Sequence, residues 1–229
     1  MTLHIRQPLP TAEIEHFVET HIFDAPTPGL YKNHVKRVLD VCLVICAIIP
    51  VMIVLILAAC VVALDGKSPI YLQKRVGRGG RVFNMVKLRS MVANADALLE
   101  AHLASDPAAR AEWNHSQKLR NDPRITPVGR ILRKTSLDEL PQLWNVLIGD
   151  MSLVGPRPMM VEQQELYPGT AYYALRPGIT GYWQTSVRNE SSFAARARYD
   201  TAYLREVSLT TDINVMVKTV GVVVNATGV

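Results

Sequence analysis

Residues 41–64 read VCLVICAIIPVMIVLILAACVVAL, a stretch of 24 residues without a charge that decides the fold. About 20 apolar residues already cross a bilayer, so this stretch is too long and too apolar for an ordinary helix of a soluble core. It is not a signal peptide, because it begins about forty residues from the start and exceeds the ~7–15 apolar residues of a signal sequence. The sequence therefore predicts a membrane segment.

Two features bear on the path of this segment through the membrane. Pro50 lies near its middle, where a proline removes a backbone donor and kinks or breaks a helix. Both flanks are basic, and basic flanks stay in the cytoplasm, so a single span would put one flank on the wrong side. The sequence favours a re-entrant helix broken at Pro50 that enters and leaves by the cytoplasmic face; a single spanning helix is the alternative. The flanking basic residues are Lys32, Lys36 and Arg37 before the segment and Lys67, Lys74, Arg75, Arg78 and Arg81 after it.

Composition narrows the class of protein. Lys and Arg outnumber Asp and Glu by 25 to 20, a mild basic balance that suits nucleic acid, an anionic membrane surface or a phosphorylated substrate. A nucleic-acid binder would carry aromatic residues among its basic ones, but Phe83 is the only one between positions 74 and 89, so we expect no nucleic acid. All three cysteines lie in the apolar stretch, which leaves none for disulfides or a zinc site elsewhere and favours a reducing, cytoplasmic location.

The membrane segment divides the chain into three parts. We expect an N-terminal tail over residues 1–33, the re-entrant helix over residues 34–65, and a cytoplasmic, membrane-associated domain over residues 66–229. The predicted fold is mainly α with a small β-hairpin (α+β), in a monotopic membrane protein with interfacial helices.

Within the last part, residues 70–76 and 81–87 flank the turn GRGG and predict the β-hairpin. Its basic surface is either a solvated face or a surface that lies on anionic membrane lipids. The helix predicted at the end of the chain lies either on the membrane or in the core. The helices are predicted at residues 90–106, 107–119, 190–205 and 212–224.

Residues 132–158, LRKTSLDELPQLWNVLIGDMSLVGPRP, carry the candidate chemistry. An apolar stripe with helical spacing predicts a helix that ends near Gly149, with Asp138 and Glu139 at its N-terminal end. The run SLDE before this stripe is also a capping box, in which the carboxylates only stabilise the helix start. Cations gather around the two acids, which instead indicates an anion site. These cations are Arg130, Arg133 and Lys134 before the acids and Arg157, between Pro156 and Pro158, after them.

This segment resembles the signature of the bacterial sugar transferases, also called monotopic phosphoglycosyl transferases or polyprenyl-phosphate hexose-1-phosphate transferases. Further landmarks stand in the family's order at residues 36–40, 71–77, 83–91 and 176–181. The resemblance extends over residues 34–225. It is strongest to the galactosyl-phosphate transferases that start exopolysaccharide of the succinoglycan type.

The resemblance implies an enzyme that transfers sugar 1-phosphate from a UDP-sugar, UDP-galactose or UDP-glucose, to undecaprenyl phosphate and releases UMP. It implies magnesium as the cofactor and a place at the cytoplasmic face of the bacterial inner membrane, with residues 66–229 as the catalytic domain. By the same resemblance, Asp138 attacks the sugar-bearing phosphate and forms an aspartyl intermediate. Glu139 orients or deprotonates the acceptor phosphate, and both carboxylates are candidate magnesium ligands.

Basic residues at family positions are candidates for binding phosphate or nucleotide. Arg133 matches the position that contacts the phosphate, and Arg157 matches one implicated in holding the nucleotide. Lys87 and Arg89 match another family block, although a role as hairpin and interface charges explains them almost as well. The family commonly has Ser-Gly-Arg where this chain has SVR, so Arg188, the last of these three residues, corresponds less closely.

Two other classes of function compete with this one. A non-catalytic, membrane-anchored scaffold for polysaccharide assembly would keep the fold and lose the chemistry, and the intact pair Asp138 and Glu139 with Arg133 argues against that loss. A polymer-extending glycosyltransferase would release a nucleoside diphosphate instead of a monophosphate. The sequence leaves open whether the chain forms a homodimer.

Overall fold

The computed structural model describes residues 29–186 and 192–224. Within them the chain is mostly helical, with two small two-stranded sheets. The prediction of a mainly helical fold with a small β-hairpin is confirmed. Most of the predicted N-terminal tail, residues 1–28, lies outside the described residues.

The elements of this fold are as follows. The helices are α1 (Lys36–Val62), α2 (Ala95–Ser105), α3 (Pro107–Ser116), α4 (Pro127–Lys134), α5 (Gln142–Ile148), α6 (Arg196–Glu206) and α7 (Leu209–Val224). The strands are β1 (Ile70–Val76), β2 (Val82–Leu88), β3 (Ser152–Val154) and β4 (Gly178–Thr180). A π-helical turn, Tyr31–Val35, precedes α1, and short 3-10 turns cover Ala63–Asp65, Arg78–Gly80, Leu137–Glu139, Val161–Leu166 and Ala171–Ala174.

α1 contains the apolar stretch that the sequence marks as a membrane segment. In its most apolar 18-residue window only 6% is buried, so the described part of the chain leaves most of this surface uncovered. Large apolar side chains such as Ile49, 73% exposed, and Leu57, 64% exposed, face outward. By length and composition α1 is suited to enter or cross a membrane, where hydrocarbon accommodates such a surface.

α1 continues through Pro50 instead of stopping there. The predicted break is therefore wrong in the sense of an interruption of the helix. A proline inside a helix removes one backbone hydrogen bond and favours a kink, while the bonds on either side hold the helix together. The re-entrant path of α1 stays a prediction.

Both ends of α1 pack against the folded part of the chain that follows it. Near its start, Val44 is buried in an apolar cluster with Phe83 and Val146. Near its end, Val62 is buried in a second cluster with Leu88. Strand β2 contributes to both clusters, so one strand supports the two ends of the helix.

Buried polar contacts fasten the first turns of α1. Lys36 Nζ lies 2.6 Å from Asp212 Oδ2 on α7, and both side chains are nearly inaccessible to solvent. Asp212 also accepts hydrogen bonds from the hydroxyl groups of Tyr31, at 2.7 Å, and Tyr203, at 2.6 Å. One turn further along, Asp40 accepts a 2.7 Å hydrogen bond from a serine on β3. These contacts fix the start of α1 on α7 and β3.

The hairpin of β1 and β2 forms as predicted, with its second strand shifted by one residue. The two strands pair antiparallel, with Ile70 opposite Leu88. Successive side chains of a strand alternate between its faces, so Phe83 and Met85 are buried on one side of β2. Lys87 follows on that same side, which directs its ammonium group into the protein.

β3 and β4 form a parallel pair that was not predicted from the sequence. Strands of three residues are too short to show the alternation by which a strand is recognised. The two backbones approach so closely that a Cβ atom on Gly178 would lie 2.1 Å from Gly155 N, so only glycine fits there. This close approach fixes the start of the segment that carries Arg157.

α2 and α3 form the helical pair predicted over residues 90–106 and 107–119, although both helices are shorter than predicted. Asp106 separates them and caps α3 by accepting a 2.8 Å hydrogen bond from the Ala108 N–H. Leu103 is buried in a small apolar cluster between the two helices. The pair therefore has a core of its own.

α7 combines both roles that the sequence leaves open for residues 212–224. Val215 is buried in the core, in a cluster with Tyr203. Val217 and Val220, 66% and 62% exposed, lie on the outer side of the helix. α7 therefore has one face in the core and an exposed apolar face.

Replacing Asp212 with alanine tests how the start of α1 is held. The change leaves the buried Lys36 ammonium group without its carboxylate, and breaking a buried pair in this way costs roughly 3–5 kcal/mol. We expect Asp212→Ala to lower the melting temperature of the detergent-solubilised protein clearly. Asp96→Ala, which removes an exposed carboxylate on α2, should leave it nearly unchanged. Equal effects of the two changes would contradict the role of this ion pair.

Candidate active site

The two acidic residues lie on the short 3-10 turn Leu137–Glu139, between α4 and α5. Ser136 precedes this turn with φ 57° and ψ 17°, the left-handed region that residues other than glycine seldom adopt. Its side chain makes no capping hydrogen bond, so the structure does not support the alternative of a capping box. The physical reason is the backbone, because an N-cap residue is normally extended. Asp138 is 5% exposed and is therefore a buried group, not a surface cap.

Lys87 lies beside both carboxylates. Its Nζ is 3.0 Å from Glu139 Oε1 and 3.8 Å from Asp138 Oδ2. Arg157 Nη2 approaches the same Glu139 oxygen to 3.5 Å. β2 supplies Lys87, and the two prolines that flank Arg157 restrict the backbone that supplies the guanidinium group. The structure thus brings four of the predicted site residues together.

Burial sets the proton affinity of Asp138. Desolvation raises the pKa of this carboxyl group above its ordinary value, and the charge of Glu139 acts in the same direction. The positive charges of Lys87, Arg133 and Arg157 oppose the rise. A carboxylate with a raised pKa is a stronger nucleophile, but it depends on such cations to remain ionised near neutral pH.

Arg133 reaches the site from the last turn of α4. Burial lowers the pKa of Arg133, and the charge of Asp138 raises it, so the two groups are electrostatically coupled. Arg133 Nε donates a 2.9 Å hydrogen bond to Ser90 Oγ. α4 packs so tightly on this serine that a Cβ atom on Gly129 would lie 1.9 Å from Ser90 O. Ser90 therefore positions Arg133, a role that nothing in the sequence indicates beyond the place of Ser90 in the block of residues 83–91.

Arg89 contacts the end of α1. Its guanidinium group pairs with both carboxylate oxygens of Asp65, at 2.6 and 2.7 Å, and donates to the carbonyl oxygens of Val62 and Ser68. This pairing holds the pKa of Asp65 down at about 2. These contacts support a role for Arg89 in fastening α1 to the hairpin. They give no support to the predicted role of Arg89 in binding phosphate. The other weak candidate, Arg188, lies outside the described residues.

Two further arginines, neither of them predicted as a site residue, border the site. Arg75 on β1 donates to Pro158 O at 3.0 Å, and burial together with the charge of Arg157 lowers the pKa of Arg75 to about 10. Arg196 on α6 lies over Trp183, 4.2 Å from the ring centroid, and burial together with Arg157 lowers its pKa to about 9. Cations that repel one another in this way suit a polyanion such as a diphosphate.

The cleft fits Mg²⁺ only in company with a phosphorylated ligand. Arg75, Lys87, Glu139 and Arg157 line it together. Among the residues that the structure describes, no three His, Cys, Asp or Glu side chains gather closely enough to hold a metal ion. Asp138 and Glu139 offer carboxylate oxygens, and Mg²⁺ is commonly held by one or two carboxylates with water and substrate phosphates. The donor set therefore fits Mg²⁺ bound together with a diphosphate.

Comparison with known proteins decides the family. A family model described as "Bacterial sugar transferase" matches residues 31–226. The chain belongs to the bacterial sugar transferase family. A UDP-galactose-lipid carrier transferase of Erwinia amylovora is 49% identical over 187 residues, which are 81% of this chain and 39% of that protein.

Two further relatives extend the comparison. An undecaprenyl-phosphate galactose phosphotransferase of Salmonella typhimurium is 51% identical over 166 residues, 72% of this chain and 35% of that protein. The exopolysaccharide production protein ExoY of Sinorhizobium fredii is 44% identical over 188 residues, 81% of this chain and 83% of that protein. The chain thus spans well under half of the length of the first two relatives and most of the third. The predicted family and its relation to galactosyl-phosphate transferases are confirmed.

The backbone of Ser136 gives a test that separates the observed turn from a capping box. Glycine relieves a left-handed residue, so we expect Ser136→Gly to keep or raise the melting temperature. Ser136→Val puts a β-branched side chain at positive φ and should cost about 1–3 kcal/mol. The control is Thr126→Ala, at the true N-cap of α4, which should cost about 1 kcal/mol. A loss in Ser136→Gly as large as that in Thr126→Ala would contradict the left-handed turn.

Proposed function

We propose that this chain is a phosphoglycosyl transferase that transfers sugar 1-phosphate from a UDP-sugar to undecaprenyl phosphate and releases UMP. The observation that carries the proposal is the buried Asp138 carboxylate 3.8 Å from Lys87 Nζ, beside a cleft lined by arginines. The reaction would be the first membrane step of exopolysaccharide synthesis. UDP-galactose is the favoured donor over UDP-glucose, because the relatives from Erwinia amylovora and Salmonella typhimurium carry galactose in their names.

Asp138 is the nucleophile of the proposed reaction. One of its carboxylate oxygens attacks the phosphorus that bears the sugar, and the bond from that phosphorus to the bridging oxygen breaks, so UMP leaves with the electron pair. The aspartyl-phosphosugar formed on Asp138 is then attacked by an oxygen of undecaprenyl phosphate, which restores the carboxylate. Two displacements at the same phosphorus split one difficult transfer into two easier ones.

The cations of the cleft offset the charge that the reaction brings together. A carboxylate and a diphosphate repel each other, so attack needs fixed positive charge near the phosphate oxygens. Lys87 and Arg157 already lie within 3.5 Å of Glu139 Oε1, next to the nucleophile. Arg75 borders the same cleft, and its guanidinium group is fixed by a 3.0 Å hydrogen bond to Pro158 O. The cleft itself has a volume of only about 20 Å³, so these side chains must move apart to admit a diphosphate.

Glu139 serves the second displacement. Its Oε1 is held by Lys87 and Arg157, so its position is fixed relative to the nucleophile. From there it orients the acceptor phosphate, or accepts its proton, as undecaprenyl phosphate attacks. Asp138 and Glu139 would also hold Mg²⁺, which supplies further charge neutralisation when it is bound with the diphosphate.

A non-catalytic scaffold is the less favoured function. Burial of Asp138 beside a second carboxylate raises its pKa and therefore costs free energy of folding. A scaffold has no use for such a group. In a chain that had lost the activity, substitutions that replace these buried charges with apolar residues would be favoured.

The packing of α1 supports the proposed membrane path. Both ends of the helix rest on β2, in the clusters of Val44 and Val62, so both ends lie on the same side as the catalytic body. A helix that enters and leaves by the cytoplasmic face of the inner membrane satisfies this constraint and both basic flanks. A straight span would carry one end away from the body.

Product analysis tests the proposed reaction. The detergent-solubilised protein is incubated with undecaprenyl phosphate, Mg²⁺ and a panel of UDP-sugars, and UMP is measured. We expect UMP release, highest with UDP-galactose, and a loss of at least about 10³-fold in Asp138→Asn, since the amide cannot act as the nucleophile. Asp96→Asn, at an exposed position on α2, is the matched control and should keep full activity. UDP release, or undiminished UMP release by Asp138→Asn, would contradict the proposal.

Lys87 gives a pH test of the nucleophile. The charge of Lys87 lowers the pKa of Asp138, so its removal in Lys87→Gln should raise that pKa further. Since Asp138 acts in its ionised form, activity is lost as the pH falls through this pKa. We therefore expect the acidic limb of the kcat/KM profile to move to higher pH, with a fall of about 10²-fold in kcat. An unmoved limb, or the same shift in the exposed-residue control Lys74→Gln, would argue against Asp138 as the titrating group.

Cysteine labelling tests the path of α1. In a chain whose Cys42, Cys46 and Cys60 are replaced by alanine, single cysteines at Asn33→Cys and Ser68→Cys flank the helix at exposed positions. In intact cells both should be protected from a membrane-impermeant thiol reagent, and both should react after permeabilisation. Labelling of either cysteine in intact cells would contradict the re-entrant path and favour a single spanning helix.

A further inference from the structure

A second cationic cleft lies beside the first turn of α1 and shares no lining residue with the cleft of Glu139. Its volume is about 370 Å³, and Arg78, Arg81 and Arg176 line it. Arg37 of α1 adjoins the cleft, because a Cβ atom on Gly149, another lining residue, would lie 3.5 Å from Arg37 Nη2. The proposed reaction assigns no role to this cleft.

Positive charge dominates the cleft. Burial lowers the pKa of Arg176, the charges of Arg37, Arg78 and Arg81 lower it further, and the charge of Asp40 opposes them. Among the described residues that line the cleft, Asp150 is the only acid. Its Oδ1 atom lies 2.9 Å from Arg81 Nη2. Four cations against the two carboxylates of Asp150 and Asp40 leave a net positive charge, which suits an anionic ligand.

Two of these cations are held in place by the backbone of the loop that ends α5. Arg37 donates to the carbonyl oxygens of Val146 and Leu147, and Arg176 Nε donates to Gly149 O at 3.0 Å. These carbonyl groups form the negative end of the helix, so they orient the guanidinium groups without neutralising them with a carboxylate. One side of the cleft therefore carries two guanidinium groups, those of Arg37 and Arg176, that backbone carbonyl groups hold in place.

An apolar groove continues from this cleft. The two share Arg81, Phe83 and Asp150, and the groove has a volume of about 420 Å³. Its large apolar side chains face outward, which is unusual for residues of a folded hairpin and helix and typical of an interaction surface. These side chains are Leu72, Val82, Trp144 and Ile148, exposed by 57%, 47%, 59% and 52%.

We propose that the cleft and the groove together bind one anionic phospholipid, with its phosphate group among the arginines and an acyl chain along the groove. Charge complementarity selects the phosphate, and the adjoining apolar surface selects a lipid over a free phosphate. The position of the cleft in the fold also agrees with a lipid. Arg37, beside the cleft, is followed on α1 by Val38, an apolar residue that is 61% exposed and lies at the start of the apolar helix. An exposed tryptophan such as Trp144 is typical of a membrane interface.

Trp144 is the probe for the test. The full chain is reconstituted in phosphatidylcholine nanodiscs that contain a small fraction of phosphatidylglycerol with brominated acyl chains, which quench a tryptophan in contact with them. The signal of Trp144 is the difference in fluorescence between the unmodified chain and Trp144→Phe. We expect several-fold stronger quenching than with brominated phosphatidylcholine at the same mole fraction, and reversal by unlabelled phosphatidylglycerol.

Removal of the two exposed arginines supplies the matched comparison. The combined change Arg78→Gln and Arg81→Gln should raise the fraction of phosphatidylglycerol that gives half-maximal quenching about tenfold, since each basic residue near an anionic surface contributes several-fold. Arg110→Gln with Arg120→Gln removes the same charge from α3 and the segment after it. This control should leave the midpoint unchanged.

Several outcomes would overturn the lipid site. These are equal quenching by the two brominated lipids, an equal shift in the arginine control, or failure of the chain to associate with the nanodiscs. Relief of quenching by millimolar inorganic phosphate would assign the cleft to a soluble anion. Protection of Trp144 from both lipids would assign the groove to a protein partner or a second copy of the chain.

Discussion

In the proposed reaction Asp138 has to be both buried and ionised, and the proposed roles of the other site residues follow from this constraint. Burial raises its pKa, and the opposing cations come from three separate elements: Lys87 from β2, Arg133 from α4 and Arg157 from the segment after β3. Arg133 is oriented by its hydrogen bond to Ser90, and Lys87 and Arg157 both approach Glu139 Oε1. These cations favour the charged form that the proposed nucleophile needs in a site from which much of the water is excluded. The fold can be understood as the means of bringing these elements to one point.

The membrane helix is built into the same body. Lys36 and Asp40 attach its start to α7 and β3, while Arg89 attaches its end to the hairpin through Asp65. β2 therefore carries Lys87 at the carboxylates, and Arg89, the residue directly after β2, lies at the end of α1. A strand that serves both roles holds the chemical site at a fixed distance from the apolar helix. Such coupling suits an acceptor whose phosphate projects from a bilayer.

The sequence predicts the parts of this structure that local patterns encode. The uncharged stretch marks α1, the glycine-rich turn marks the hairpin, and the apolar stripe marks α5. What it does not predict depends on contacts between distant segments. Ser136 adopts a left-handed backbone because the turn must place Asp138 inside the protein, and the pattern SLDE alone is equally a capping box. Arg196 and the short pair of β3 and β4 carry no local signature, and Arg89 looks like a phosphate ligand until its bond to Asp65 is seen.

The central claim is that the sugar phosphate passes through a covalent bond to Asp138. The most direct measurement mixes the protein with UDP-galactose and Mg²⁺ in the absence of undecaprenyl phosphate, quenches it rapidly and analyses peptides by mass spectrometry. The account predicts one equivalent of UMP and a hexose-phosphate adduct on the peptide that contains Asp138, which disappears when the lipid acceptor is added. UMP that forms only when both substrates are present, with no adduct on any peptide, would contradict it and indicate a direct displacement.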